Sequence, residues 1–449
     1  MDPVDPRHEI MNTNEILSHL RIEVLNGMQQ EMHEACRRHQ DVVLLSPTGS
    51  GKTLAYMIPL VQRIDTASDD VQALVLVPSR ELAMQTASVL KQMNAGVRGM
   101  AVYGGRPAMD EHRTMKGVLP HVIIGTPGRV LDHLNKENFG AGQIRTLVID
   151  EFDKSLELGF QEEMSQVLGC LPSVGSRILL SATDCEEIPL FVGTGSGVCR
   201  LDFLEGEEEL SDRVESFVVH SPLKDKLDCL GSLLCDLGQQ SSVVFVGFRE
   251  SVERVGKYLN QQGFCVSVFH GGMDQADRER ALFRFVSGAC NVMVCTDLAS
   301  RGLDVPEIDN VIHYHLPVDR QSYVHRNGRT ARWDASGRVF LILGPEEFLP
   351  SFVPSDLPRH DVANVPGRVP LPKWECMYIG RGKKDKLSRG DIAGFMMKTG
   401  GLQPDEVGRI EVRDHCAYVS VLRSRVRELM LRIRGQKIKG MKTLIEPTR

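Results

Sequence analysis

Ser46-Pro47-Thr48-Gly49-Ser50-Gly51-Lys52-Thr53 follows an apolar run ending at Leu45 and leads into a helix-forming stretch. Glycines in that setting let backbone N–H groups face phosphate oxygens at a helix N-terminus, where the macrodipole adds partial positive charge. Lys52 can reach the outer phosphates, and the Thr53 hydroxyl can ligate Mg2+. Ser46, Thr48, Gly49, Ser50, Gly51, Lys52 and Thr53 are therefore a candidate cradle for a nucleoside triphosphate. Downstream, Asp150-Glu151-Phe152-Asp153 closes a second apolar run, Leu147 to Ile149. Acids at a strand C-terminus emerge on the edge where ligands gather in parallel α/β sheets. Asp150 can hold Mg2+ through water, and Glu151 can orient or deprotonate an attacking water.

Both groups need a sheet to bring them together, and the apolar pattern supplies one. Unalternated runs recur between helix-like stretches at Val42 to Leu45, Leu74 to Val77, Val122 to Ile124, Leu147 to Ile149 and Ile178 to Leu180. They read as parallel strands covered on both faces. After the acidic stretch Glu205 to Glu209 the pattern resumes at Phe217 to Val219, Val243 to Val246, Val266 to Phe269, Val292 to Cys295, Val311 to Tyr314 and Val339 to Leu343. Two tandem α/β domains follow, residues 1–204 and 205–345. Seven prolines from Pro345 to Pro372 mark 346–372 as an extended linker. Residues 373–449 alternate short apolar runs with helical ones, an α+β pattern the size of an RNA-recognition motif.

At 449 residues the chain exceeds one hydrophobic core, and its 42% hydrophobic and 25% charged residues suit a folded globular protein. Eleven cysteines without a Cys-x-x-Cys pair exclude a disulfide framework or a zinc ribbon and fit reduced core positions. The absence of a long apolar run, with prolines and acids near Met1, points to the cytoplasm and away from membranes. The net charge of −6 conceals an asymmetry: residues 371–449 carry 18 Lys and Arg against 9 Asp and Glu, so the rest of the chain holds −15. A basic appendage on an acidic body suggests a polyanion partner.

Further short motifs fall at the other strand ends: Pro78-Ser79-Arg80-Glu81-Leu82, Gly104-Gly105, Thr126-Pro127-Gly128-Arg129 and Ser181-Ala182-Thr183. With the phosphate loop and the acidic tetrad, their order resembles that of the DEAD-box RNA helicases. The resemblance implies two RecA-like domains that use ATP and Mg2+ to remodel RNA. It implies that Arg80, Gly105, Thr126 and Arg129 grip the RNA backbone, and that Ser181 and Thr183 bond Asp153 to couple hydrolysis to strand separation. In the second domain, His325-Arg326-Asn327-Gly328-Arg329-Thr330-Ala331-Arg332 is similar to the family's arginine-finger motif. Arg329 and Arg332 thereby join Lys52, Asp150 and Glu151 as catalytic candidates, with His325 a coupling residue. Thr296 to Asp304 and Gln275 to Arg278 resemble two more family motifs, placing Asp304 near the ribose and Thr296 and Arg278 near RNA.

The chain also departs from the family. Gln29 stands at the adenine-reading glutamine, but Leu25-Asn26-Gly27-Met28 replaces the usual preceding residues and no aromatic precedes Tyr56. Weaker discrimination of ATP from GTP is the expectation. Phe152 replaces the alanine of the namesake tetrad, with the acids intact.

Residues 374–449 resemble the RNA-binding domain of DbpA-type bacterial helicases through Gly380 to Leu387, Arg389 to Ile392, Ala417 to Val421 and Lys437 to Gly440. In that group the domain recognises a hairpin of large-subunit ribosomal RNA. Lys383, Lys384, Lys437 and Lys439 can neutralise phosphates, and Tyr378 and Tyr418 are candidate base-stacking residues. The expectation is a monomeric RNA helicase acting on 23S-type ribosomal RNA in pre-50S particles, without DNA. A general helicase for other structured RNA, and a non-catalytic scaffold clamped by ATP, are the alternatives.

Overall fold

The computed structural model describes residues 13–47, 49–105, 108–183, 188–195, 197–204, 214–297, 308–330, 337–362 and 368–448. These form two compact units, 13–204 and 214–448. The C-terminal domain thus belongs to the same unit as the second α/β domain.

The first unit begins with helices α1 (Thr13–Leu20) and α2 (Gly27–Arg38), then β1 (Asp41–Leu45) and α3 (Lys52–Val61). There follow β2 (Ala73–Leu76), α4 (Arg80–Met93), β3 (Gly99–Val102), α5 (Ala108–Val118), β4 (Val122–Gly125) and α6 (Pro127–Asn135). The unit ends with β5 (Thr146–Ile149), α7 (Phe152–Glu157), α8 (Gln161–Gly169), β6 (Ser176–Ser181) and β7 (Cys199–Asp202). The strands make one parallel sheet in the order β3-β4-β2-β5-β6-β1-β7. Val42 and Leu44 enter the core on one face of β1, Val43 and Leu45 the core on the other. Each such fully buried side chain contributes about 1.5–3 kcal/mol. This two-sided burial is why the strands read as continuous apolar runs.

The second unit repeats the plan with β8 (Val214–His220), β9 (Ser242–Phe245), β10 (Val266–Phe269), β11 (Val292–Cys295), β12 (Asn310–His313) and β13 (Gly337–Leu343). They form a parallel sheet ordered β10-β11-β9-β12-β13-β8. Within the proline-rich segment, residues 358–360 pair with the second sheet. Arg359 bridges to Val218 on edge strand β8, with Val218 N–H donating to Pro358 O (2.9 Å) and His360 N–H to Val218 O (2.8 Å). His360 also lies edge-on to Phe217 and Phe340 and bonds Asp236 at 2.8 Å. An edge strand offers unpaired backbone groups, and the extended segment satisfies them.

The C-terminal domain carries β14 (Trp374–Ile379), β15 (Val407–Val412), β16 (Ala417–Leu422) and β19 (Ile445–Pro447) in an antiparallel sheet ordered β15-β16-β14-β19, with a small hairpin of β17 (Lys437–Ile438) and β18 (Met441–Lys442). Met377, Ile379, Val419 and Val421 face the domain's own helices, Arg389–Lys398 and Val426–Arg432. The fold class is α/β, two RecA-like parallel-sheet domains, with a small α+β domain appended. Among the described residues no helix is long and apolar enough to cross a membrane.

Candidate functional site

The predicted phosphate loop sits at the C-terminal end of β1. Ser46 N–H donates to Ser181 O on β6 (3.0 Å), tying the loop to the neighbouring strand. Gly49 and Gly51 have φ of +88° and +92°, backbone that side-chain-bearing residues rarely adopt. Gly51 caps α3. Ser46 Oγ donates to Ser50 Oγ (2.7 Å), which donates to Pro47 O (2.9 Å). Lys52 Nζ donates to Ser46 O (2.5 Å) and Pro47 O (2.8 Å), so its ammonium lies inside the loop. A helix N-terminus, left-handed glycines and an ammonium in the hollow fit a polyphosphate. Thr53 follows at the start of α3. Thr48 lies outside the described residues.

Gln29 is 3% exposed and holds this loop from α2. Its Nε2 donates to Gly51 O (3.3 Å), and its Oε1 accepts Asn26 N–H (3.0 Å). Asn26 Oδ1 accepts Gln29 N–H in return (2.9 Å) and Asn26 Nδ2 donates to Ser50 O (3.1 Å). This is a capping box fused to the phosphate loop. Sequence reading assigned Gln29 a role but missed Asn26; the Asn-x-x-Gln spacing at a helix start was the available signal.

Asp150, 3% exposed, directly follows β5, and Glu151 comes next in the left-handed region at φ +49°. Burial raises the Asp150 carboxyl above the usual range, opposed by the Lys52 ammonium and by the Glu151 N–H it accepts at 2.9 Å. The strained backbone at a non-glycine residue is of the kind that clusters at active sites. Asp153 is buried as well, and Thr183 Oγ1 donates to its Oδ2 at 2.9 Å. Ser181 Oγ donates to Thr183 O (2.5 Å) and accepts Thr183 N–H (3.1 Å), which shapes the turn carrying Thr183.

The backbone-gripping candidates gather at the ends of β2, β3 and β4. Ser79 Oγ caps α4 by accepting Leu82 N–H (3.2 Å), which sets Arg80 at the helix start. The Arg80 guanidinium lies against Gly105, φ +94°, where any Cβ would collide with it. Thr126 caps α6, its N–H on Val102 O (3.2 Å). Arg129, one turn into α6, donates Nε–H to Tyr103 O (3.2 Å) and pairs with the buried Glu111 (3.2 Å).

In the second unit His325, Arg326 and Arg329 are all buried at or just beyond the helix Arg320–Asn327. Arg326, given no role by sequence reading, organises the region. It pairs in two-pronged fashion with Asp297 (2.5 and 2.8 Å), donates to His315 O (2.7 Å) and to His313 Nδ1 (3.1 Å), and lies over the Phe245 ring. His313 Nε2 faces Asn327 Oδ1 at 2.9 Å, and burial with the Arg326 charge pushes His313 down to about 3. Thr296 follows β11 and is buried; Arg278 is 9% exposed with its guanidinium over Phe269. Asp304 and Arg332 lie outside the described residues.

In the C-terminal domain, Lys383 and Lys384 are exposed on a short 3-10 helix, Lys437 on β17 and Lys439 on the turn that follows it. Lys439 Nζ bonds Lys386 O (2.9 Å) and Asp391 (3.1 Å), which draws the lysine-rich turns together. Tyr418 requires a correction. It is 4% exposed and stacked on Phe283 of the second α/β domain, with centroids 5.4 Å apart. The outer sheet face, with Cys376, Tyr418 and the partly buried Trp374 and Tyr378, packs with Phe283 and Ala289. Tyr418 is a core residue, not a platform for bases.

A two-domain motor with a phosphate loop, paired acids and a coupled Thr183–Asp153 bond is the class these sites define, and comparison with known proteins agrees. Residues 26–188 match the DEAD/DEAH box helicase family, 225–334 the helicase conserved C-terminal domain, and 376–447 the DbpA RNA binding domain. The chain is 32% identical over 447 residues to the ATP-dependent RNA helicase DbpA of Escherichia coli K12, covering 97% of this chain and 96% of that protein. It is 34% identical to the ATP-dependent RNA helicase CshA of Listeria monocytogenes over 69% of this chain and 59% of that one. Among solved structures, Saccharomyces cerevisiae Dbp5 bound to RNA and ADP BeF3 superposes with a TM-score of 0.66 at 25% identity, covering 75% of this chain and 89% of that one. The chain belongs to the DEAD-box ATP-dependent RNA helicases that carry a DbpA-type RNA-binding domain. It is an enzyme that uses ATP to act on RNA.

Proposed function

We propose that this helicase remodels ribosomal RNA during assembly of the large ribosomal subunit, as a cytoplasmic monomer. The observation that carries the reading is the C-terminal domain: its match to the DbpA RNA binding domain, with the exposed lysines 383, 384, 437 and 439. In such a division of labour the motor contacts RNA through its backbone and is indifferent to sequence, while the appended domain chooses the RNA. Tethering then raises the effective concentration of adjoining duplexes at the motor, to the order of millimolar. The partner is a 23S-type RNA in a pre-50S particle.

Within the motor, the loop from Ser46 to Thr53 binds the ATP phosphates, with Gln29 at its edge. Thr53 and Asp150 would hold the Mg2+ that accompanies the nucleotide, and that ion would supply charge neutralisation at the phosphates. A site of one carboxylate and one hydroxyl suits Mg2+, which keeps much of its water. Glu151 orients the attacking water, and Arg329 takes the arginine-finger role. Arg80, Gly105, Thr126, Arg129, Arg278 and Thr296 hold the RNA backbone.

The test is steady-state ATP hydrolysis without RNA, with a generic duplex and with a large-subunit ribosomal RNA fragment. Alanine at Lys383, Lys384, Lys437 and Lys439 is a cleaner control than deleting the domain, which would uncover Phe283 and Ala289. Selective activation by the ribosomal fragment, lost in the four-lysine variant, is expected. Equal activation by both RNAs would make the chain a general RNA remodeller.

A further inference from the structure

Glu111 is a buried carboxylate on α5 to which the site described above gives no task. It is 6% exposed and gathers donors from two other elements. Oε1 accepts Tyr103 N–H (3.2 Å), immediately before Gly104-Gly105. Oε2 faces Arg129 Nε (3.2 Å) and His133 Nε2 (2.9 Å), residues one turn apart on α6. Asn138 Nδ2 donates to His133 Nδ1 (2.8 Å), which leaves the ring proton on Nε2, aimed at Glu111. A buried carboxylate is stable only when paired and hydrogen-bonded, and the Tyr103 N–H, the His133 ring N–H and the Arg129 charge meet that requirement. Arg129 Nε donates to Tyr103 O (3.2 Å) and pairs with Glu111 Oε2, which together orient the guanidinium, while Nη1 lies 3.6 Å from the partly exposed Asp132; two-pronged phosphate binding uses the terminal amines. Through Tyr103 N–H the Glu111 carboxylate also fixes the entry to the glycine turn against which Arg80 lies.

We propose that Glu111 is a positioning residue for RNA-backbone binding: one buried carboxylate sets the Gly104-Gly105 turn and the Arg129 guanidinium at a fixed separation, so that the grip is formed before RNA arrives. The inference rests on the assignment of Arg129 to RNA. Binding groups whose rotamers are locked by a supporting shell lose little freedom on binding, and removing the support is felt at the ligand. Glu111 touches neither nucleotide loop nor tetrad, so its effect is confined to RNA.

The test uses the full chain with Glu111→Ala, Glu111→Gln, Arg129→Ala and Glu111→Ala/Arg129→Ala, reading RNA affinity, the KM for RNA and for ATP, and RNA-free hydrolysis. Expected are a loss of RNA affinity of about tenfold in Glu111→Ala, a smaller loss in Glu111→Gln, unchanged KM for ATP and RNA-free hydrolysis, and a double variant no weaker than Arg129→Ala. Glu111→Gln keeps the side-chain volume and decides the matter if Glu111→Ala does not fold. Glu111 variants that bind RNA normally beside a weakened Arg129→Ala would overturn the proposal and leave the RNA assignment standing. An Arg129→Ala that binds RNA normally would overturn both.

Discussion

The sheet of the first unit and the sheet of the C-terminal domain handle their chemistry in opposite ways. In the first, parallel strands are sealed on both faces and reactive groups emerge at the C-terminal strand ends, where the phosphate loop follows β1 and the tetrad follows β5. In the second, antiparallel strands put Met377 and Val419 on one face and Cys376 and Tyr418 on the other. The domain's own helices cover the first face and the neighbouring motor domain covers the second. What stays exposed is the set of lysines 383, 384, 437 and 439. A strand end is functional by position in a parallel sheet, whereas a sheet face is functional only if nothing else packs on it.

The largest expected effect is at Gly51. A Cβ there would meet Gln29 Nε2 at 2.5 Å in backbone of φ +92°, and strain of 1–3 kcal/mol spent on the loop lowers ATP affinity by up to about 100-fold. Nucleotide titration of Gly51→Ala checks this; wild-type affinity would show that the loop yields. Next comes Tyr418→Ala, expected to lower stability to urea by about 3 kcal/mol through the cavity left against Phe283, while Tyr418→Phe changes RNA affinity little. A Tyr418→Phe or Tyr418→Ala variant that folded normally and lost RNA binding would restore the tyrosine as a contact.

Lys383→Ala and Lys384→Ala should do the reverse, leaving stability within about 0.5 kcal/mol and lowering the salt slope of RNA binding by about one each. A further effect concerns His313, whose pKa falls from 6.5 to about 3 on folding. Between those values the unfolded chain takes up a proton that the folded chain refuses, so stability is full above pH 6.5 and declines as the pH falls through that window. His313→Gln should flatten the fall of the unfolding midpoint between pH 6.5 and 5; an unchanged slope would assign it to other groups.

Much of the first unit was legible because its strands are uniformly apolar and each motif directly follows one. The same signal failed for β7, where Cys199-Arg200-Leu201-Asp202 alternates at a sheet edge and is only partly buried. It missed β3 as well, whose Gly99 is exposed. Asn26, Glu111 and Arg326 went unseen because their partners are remote in sequence or on other elements: Ser50 for Asn26, Tyr103 and Arg129 for Glu111, Asp297 and His313 for Arg326. Tyr418 misled because alternation places it on the outer face of β16 but cannot reveal Phe283 opposite. Composition marked 346–372 as extended without showing that β8 had an edge to offer it.

We propose that ATP turnover runs on the acids that follow β5. It is tested most directly by RNA-saturated ATP hydrolysis in Glu151→Gln, with ATP affinity measured alongside. The expected result is a fall in kcat of at least about 100-fold with ATP affinity within a few-fold of wild type. Wild-type turnover in Glu151→Gln would contradict it and place the chemistry elsewhere.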